Sequence, residues 1–522
     1  LFGGEQPPAT GAAAVVPGDA LLYLHVSTDR SRPAVQRALA LGRRFPDFSL
    51  LRAAVGRRVG ALLNGPPSGV GVWLGQEAAF ALLNTTGSTA GSLVVLDVSR
   101  PQLARRYVRR AGAQADGTYD RSSLLRLPSG TELAFVGHYL VAGQPASVRA
   151  SLDAATGRGQ ALAGNPTYRT ASGSEPDGRV LDAYAPVAGV RRVFGSRSGL
   201  LGSLGVVLDQ PALIGAVLSL SAVPGGGRID VHETLDPAVA GLSGPPASFA
   251  PSLPATLPAQ GALLLDVAGL TQWAPRVLQA VSTAGLAGRV EPLLRRLGAA
   301  LGSEGVDVHR LTGIFSGESA LFITPPATAG ATRAGGAAGS GRGPTRSRGG
   351  RAPAPGLMIV TRTGDEQGTS QLLASAEGPL AQLFPPPSSG PGQAPEFTDV
   401  PLDGITVHQL ALAPGLQLDY AVFRGLVVLT TSLRAIAGLI EQSHPLSQET
   451  QYQNALAAPP DRLTSLVFLD FRALLRLGEQ TGLLGRGRLA AWLGDLGRVS
   501  SIGLTTTRQE SDINAELFIN IP

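Results

Sequence analysis

The sequence predicts an α+β protein built from two homologous repeats, each a largely antiparallel sheet with helices packed on one face. Three observations carry this expectation. Apolar segments of strand length recur in the same order in both halves of the 522-residue chain, the first pairs 241 or 242 residues apart. The segments that close the halves, 228–235 and 514–521, alternate apolar and polar residues at period two, as half-buried antiparallel strands do. Between the halves, Pro237, Pro245, Pro246, Pro251, Pro254 and Pro258 interrupt the longest uncharged run. Such a run cannot be a membrane helix, and 237–260 reads as a Pro-rich linker.

The elements follow in order. Residues 1–17 (LFGGEQPPATGAAAVVP) read as a flexible Gly/Pro/Ala spacer. The chain starts at Leu1 rather than Met, so a removed signal peptide or anchoring helix is expected ahead of it. The first repeat, 18–236, opens on the apolar strand 20–26, matched by 261–267 at the start of the second repeat, 261–522. A helical pattern follows each. Segment 73–80 then aligns with 315–322, and 92–96 with 356–360, an Arg/Gly-rich insertion at 325–355 accounting for the jump in register. Asp116-Gly117 and Asp403-Gly404 supply the glycine turn between two strands in each copy. Strands 140–142 and 426–428, helix signals 165–168 and 449–452, and strands 180–184 and 465–468 complete the match. The expected closing strands are 206–208 with 228–235, and 501–505 with 512–521.

Composition excludes several chemistries. There is no Cys, so disulfides, thiol nucleophiles, Cys–zinc sites and a lipid-bearing Cys are ruled out. All 43 basic residues are Arg, which rules out a Walker-A loop, a Schiff base and a pyridoxal-phosphate anchor. Together with 68 Gly and 40 Pro, this bias fits the codon usage of a high-GC bacterium. Arg333, Arg342, Arg346, Arg348 and Arg351 all fall in the insertion; without them 38 basic residues face 38 acidic ones. The isoelectric point near 9.9 therefore describes one segment. That segment lacks interleaved aromatics, so it reads as a disordered insertion touching at most an anionic surface, and no nucleic-acid partner is expected.

Pro17-Gly-Asp-Ala-Leu-Leu-Tyr-Leu24, Gly164-Asn-Pro-Thr-Tyr168 and the strand carrying Tyr184 together resemble a bacterial family known as domain of unknown function thirty-three fifty-two. The resemblance spans nearly the whole chain but rests on apolar patterns rather than catalytic signatures. It implies an extracytoplasmic protein held to the cell membrane by an N-terminal segment, and it transfers no functional residue.

Candidate chemistry is sparse. Asp97, Asp209, Asp266 and Asp470 interrupt apolar strands, and a convergent set of them would bind a hard cation or form an acid/base pair. Yet Asp266 is matched by His25 in the other copy and Asp470 by Pro186, which favours strand-end or solvent-side roles. His25, His138, His232, His309, His408 and His444 show no metal-ligand spacing, and there is no Gly-x-Ser-x-Gly elbow. Residues 104–110 (ARRYVRR) stack Arg105/Arg109 and Arg106/Arg110 on a helix, a solvated face or a grip on anionic lipid and wall polymers.

The sequence thus points to a non-catalytic, membrane-tethered binding or scaffold protein of the bacterial cell envelope, with no catalytic, cofactor or metal residues assigned. The alternatives are an envelope hydrolase with a site between the repeats, drawing on Asp97, Asp266 or His25, and a carrier of an apolar ligand lined by helices such as 290–301. Its partner is an envelope protein or an anionic surface. Because the insertion offers almost nothing to bury against about 1–2 kcal/mol of ordering entropy per residue, deleting 327–352 is expected to leave the melting temperature nearly unchanged. Calorimetry of the deletion variant checks this; a loss of several degrees would show that the segment packs.

Overall fold

The structure, a computed structural model, describes residues 5–83, 91–194, 211–241, 247–270, 308–325, 356–382, 395–413, 416–441, 444–480 and 493–522. Among the described residues the period-two segments form twenty strands in one sheet, and every pairing there is antiparallel. The first ten are β1 Leu22–Ser27, β2 Leu74–Leu83, β3 Gly91–Val98, β4 Gln114–Tyr119, β5 Ser122–Arg126, β6 Glu132–Val136, β7 Tyr139–Gly143, β8 Arg179–Pro186, β9 Leu213–Val223 and β10 Gly226–Leu235. The second ten are β11 Leu263–Ala268, β12 Glu318–Thr324, β13 Gly356–Arg362, β14 Phe397–Leu402, β15 Ile405–Ala413, β16 Leu416–Phe423, β17 Leu426–Thr430, β18 Ser465–Asp470, β19 Ser501–Arg508 and β20 Asp512–Asn520.

In the first half the meander β4-β5-β6-β7 joins β3, and the sheet continues β2-β1-β8-β9-β10. In the second, β14-β15-β16-β17 joins β13, then β12-β11-β18-β19-β20. The halves meet where β10 pairs with β20, nine residue pairs from Gly226↔Asn520 to Thr234↔Asp512. Separate sheets are therefore not what forms. Each half ends in a strand with one open edge, and pairing the two edges satisfies both sets of backbone groups.

Helices cover both faces, not one. On β3, Leu93 and Val95 pack with Val148 and Leu152 of helix Pro145–Ala155. Their neighbours Leu96 and Val98 point the other way and pack with Ala104, Tyr107 and Val108 of helix Pro101–Arg110. In the second half Val428 packs with Ile436 and Leu439 of helix Leu433–Glu441, and Val427 with Leu373 of helix Glu366–Gln382. A sheet whose strands are apolar on both sides needs both covers. Proline occupies the first turn of several helices, where its missing N–H costs nothing.

The two supposed connectors are core. Over 5–17 the chain forms a 3₁₀ turn, Gly11–Ala14, with Ala12 and Val16 fully buried, so the expected spacer is ordered packing material. Residues 247–260 do the same: Leu253 and Leu257 are fully buried, and Leu253–Ala255 is again a 3₁₀ turn. Alanine, valine and leucine outweigh the Pro and Gly in both segments because their side chains have a sheet to cover. The hairpin turn after β4 is Asp120-Arg121, both at positive φ, whereas Gly117 sits in a bulge; Asp403-Gly404 is a true turn. β9 lies between β8 and β10 in the first half; the expected strand 206–208 and the insertion beyond Pro325 lie outside the described residues.

A Cβ added at Gly226 would strike the backbone carbonyl of Ile519 across the junction. Backbone cannot swing aside as a side chain does, so Gly226→Ala is expected to cost about 1–3 kcal/mol. Urea unfolding of the variant measures it.

Candidate functional site

Pairing β10 with β20 builds the floor of a polar cleft. Alternation places Arg228, Asp230 and His232 of the first half on one face, with Asn514 and Glu516 of the second beside them. Asp230 lies directly opposite Glu516, and His232 directly opposite Asn514. Ser219 on β9 and Thr505 on β19 extend the Asp230–Glu516 row to either side. Ser174, Glu175 and Pro176 form one wall, Pro460 stands on the other, and the enclosed volume is about 300 Å³.

The two basic side chains of the floor are already engaged. Arg228 Nε is 3.1 Å from Asp230 Oδ2. His232 Nδ1 is 2.7 Å from Asn514 Oδ1, and its Nε2 is 3.4 Å from Asp512. Burial pushes the Asp230 carboxyl above its ordinary value, and Arg228 only partly offsets that. With Asp230 and Glu516 both on its floor, the cleft presents two carboxylates to one arginine, suited to a donor-rich or cationic group.

Glu175 leads from the cleft into the core. Arg179 Nη2 lies 3.3 Å from it, and Arg179 Nε lies 3.5 Å from Asp182. Asp182 accepts from His25 Nδ1 at 2.8 Å. His25 Nε2 is 3.3 Å from Glu77, which accepts from Tyr139 Oη at 2.6 Å and from the Ala12 backbone N–H at 3.2 Å. His25 is 1% exposed. Burial lowers its proton affinity, but Asp182 and Glu77 more than reverse this and raise it to about 9. Burial likewise pushes Glu77 up, and hydrogen bonds from His25, Tyr139 and Ala12 outweigh it and leave Glu77 below the usual range. Glu175, chiefly through burial and then through Asp182, is raised to about 8.

The second half solves the same problem differently. Glu318 on β12 accepts from the Ser252 and Leu253 backbone N–H groups at 2.6 and 2.8 Å, as Glu77 does from Ala12. Where β1 carries His25, β11 carries Asp266, fully buried beside Glu318. Burial, then the Glu318 charge, raises Asp266 to about 9, so it is a neutral acid at pH 7.

The sequence-derived candidates do not converge. Asp97 accepts from the Gln76 backbone N–H at 2.6 Å beside the bulge in β2. Asp470 accepts from the Ala473 N–H at 2.9 Å and caps helix Phe471–Gln480. Neither of these lines the junction cleft, nor do His25 and Asp266. Asp209 and 290–301 lie outside the described residues. His138 lies tilted against Tyr139 with ring centroids 4.1 Å apart, and His408 stacks on Tyr420 between Asp399 and Glu377. His309 sits in helix Val308–Gly313, and the His444 carbonyl accepts from Ala259. Among the described side chains, His232 is the histidine that lines the cleft. Sequence reasoning missed Glu77, Asp182, Glu175, Asp230 and Glu516. For Glu77 and Asp182 a signal existed: a lone carboxylate at a core-facing position of an apolar strand. Among the described residues no His/Asp/Glu cluster is arranged to hold a metal ion, and no helix is long and apolar enough to cross a membrane.

Neither a family model nor a curated protein matches the chain. Among solved structures it is similar to crystal forms I and III of TP0453, at 12% and 11% identity. The two comparisons have TM-scores of 0.25 and 0.26, and cover 44% and 46% of this chain and 79% and 89% of that one.

Removing the imidazole strands two buried carboxylates, so His25→Ala is expected to cost about 3–5 kcal/mol in urea unfolding. For pH, His25 and Asp266 both have folded values raised to about 9, from 6.5 and 3.8. Each stabilises fully below its unfolded value and loses that contribution as pH rises through 9. Stability should therefore fall between pH 6.5 and 9, and Asp266→Asn should make that fall shallower. An unchanged slope would show that Asp266 is ionised in the folded protein.

Proposed function

We propose that the chain is a non-catalytic binding protein of the bacterial cell envelope, extracytoplasmic and membrane-tethered, made of two duplicated α+β halves with its ligand seat in the junction cleft. The shared order of strand pairing in the two halves supports duplication, as does the equal placing of Glu77 and Glu318 opposite Ser27 and Ala268. The envelope setting and the tether rest on the family resemblance of Pro17–Leu24, Gly164–Tyr168 and Tyr184 alone.

The observation that carries the binding reading is the Asp230–Glu516 pair, one carboxylate from each half, directly opposite across the junction. Like charges directly opposite on neighbouring strands repel, and Arg228 engages only the Asp230 side of the pair. A ligand ammonium or guanidinium relieves that repulsion and gains two charge-assisted hydrogen bonds. The ligand class is therefore a small cationic, hydroxyl- or amine-rich molecule, or a basic peptide segment. The same pair is also what favours the second reading, a hydrolase using two carboxylates in the cleft.

Thermal-shift titration with spermidine, glucosamine and an arginine-rich tripeptide, with glutamate as the anionic contrast, tests this. Stabilisation by the cationic probes is expected, weakened about tenfold or more by Asp230→Asn or Glu516→Gln. Stabilisation by glutamate alone, or shifts that survive both substitutions, would overturn the seat. Turnover of ester, glycoside or peptide reporters that disappears in Asp230→Asn would replace binding with hydrolysis.

A further inference from the structure

A second surface, remote from the cleft, carries its own chemistry. The helix Phe48–Leu62 has an apolar stripe at Leu51, Val55, Val59 and Leu62, spaced i, i+4, i+8 and i+11. Its C-terminal part does what such a stripe does: Val59 and Leu62 pack on the cluster around Trp73 and Tyr107. Over its N-terminal part the stripe is left uncovered, although Asp47 at its start is held to Asp495. Leu51 is 56% exposed and Val55 57%, with Leu50 beside them at 64%. Gly60 is the one residue of this helix that is buried outright.

The charged side chains of the two helices that carry this ridge are all of one sign, and the nearby carboxylates, Asp47 and Asp495, stand together at the N-terminal end of the first helix. The helix carries Arg52, Arg57 and Arg58 and no carboxylate. Helix Pro101–Arg110 carries Arg105, Arg106, Arg109 and Arg110, again with no carboxylate. All seven are exposed, and none makes an ion pair among the described residues. The two helices are tied together: Asn64 Nδ2 donates to the Ala111 carbonyl at 2.8 Å, and Tyr107 Oη to the Pro66 carbonyl at 3.2 Å. Exposed Val72 shares one depression with Arg106 and Arg110, so apolar and cationic groups alternate across the surface.

We infer that this face docks on an anionic lipid bilayer, with Leu50, Leu51 and Val55 entering the headgroup boundary and the arginines of both helices on lipid phosphates. Charge complementarity selects an anionic occupant, and the aliphatic ridge selects among anionic occupants. Nucleic acid has no use for exposed leucine and valine at a phosphate-binding face. A protein partner needs about 800 Å² per side for a stable interface, whereas Leu51 to Val55 rises only about 6 Å along the helix. Shallow insertion needs few apolar side chains when basic groups flank them, each contributing electrostatic attraction near the surface. The face lies apart from the cleft, so this inference stands or falls separately from the ligand seat.

The test is sedimentation of the full chain with vesicles of phosphatidylcholine alone and of phosphatidylcholine with one third phosphatidylglycerol. Binding is expected on the anionic vesicles only, and it should disappear in high salt. L51D/V55D, at exposed positions where folding is not at stake, should reduce partitioning at least tenfold. R57Q/R58Q and R105Q/R109Q should each reduce it, by about fivefold per arginine removed. Circular dichroism and the thermal shift with cationic probes report that the variants are otherwise intact. Equal binding to neutral vesicles, no binding to either kind, or binding indifferent to these variants would overturn the inference. So would self-association without vesicle binding that L51D/V55D abolishes, which would assign the ridge to a second copy of the chain.

Discussion

The antiparallel pairing of β10 with β20 is the constraint on which the rest of the molecule depends. It converts two ten-stranded halves, each with an open edge, into one sheet. Its register decides what faces the cleft: a slip of one residue would set Asp230 opposite Leu517 or Ala515 and turn Glu516 to the other face of the sheet. Contacts outside the strands hold the same arrangement. The Ile521 N–H donates to the Gly225 carbonyl at 2.8 Å, and Arg44 Nη1 to the Ile521 carbonyl at 2.9 Å. The Asp47 N–H donates to Asp495 Oδ1 at 3.1 Å, from one half to the other. The close backbone approach at Gly226 leaves no room for a side chain at the start of the seam.

The buried charges answer a second need, that of holding the segment that precedes each half. A 3₁₀ turn laid over a sheet points backbone N–H groups into the core, and each must find an acceptor. Glu77 and Glu318 supply it at the same place on β2 and β12. A buried carboxylate then requires its own compensation. On β1 a protonated His25 provides it, shared with Asp182. On β11 Asp266 brings no charge, and it is tolerated by keeping its proton. Exchange between His and Asp at one register position thus changes the protonation chemistry and leaves the architecture alone.

Much of the strand pattern was legible because period-two alternation and Gly turns are local signals. Strands β1, β3, β8, β10, β18 and β20 fall on segments the pattern marks, and Asp403-Gly404 turns where it should. The failures have specific causes. Aligning Trp73 with Phe315 sets Glu77 against Ser319, because the bulge between Leu74 and Ala78 shifts the register by one; the strand pairings set it against Glu318. One residue is enough to exchange a core face for the opposite one, so the buried glutamates went unseen. Residues 5–17 and 247–260 look like linkers by Gly and Pro content, yet their Ala, Val and Leu fill a gap that exists only once the sheet is formed. The cleft was illegible for a related reason. Asp230 and Glu516 are 286 positions apart, and no spacing rule reaches across that distance.

The acidic cleft and the basic helical face divide the charge of a nearly balanced protein into two separate fields. Helix Pro101–Arg110 packs on β3 and β7, while the cleft floor is β9, β10, β20 and β19. Five strand spacings separate β3 from β10, through β2, β1, β8 and β9. At about 4.8 Å each that is about 24 Å, roughly three Debye lengths at physiological salt. The arginines of helix Pro101–Arg110 therefore do little to neutralise Asp230 and Glu516, and the cleft keeps its two carboxylates whatever that helix touches. Conversely, a cation seated in the cleft adds little repulsion at the face. Two surfaces of opposite sign, held this far apart by one continuous sheet, can engage an anionic plane and a cationic ligand at once, and substitutions in one should add to those in the other without coupling.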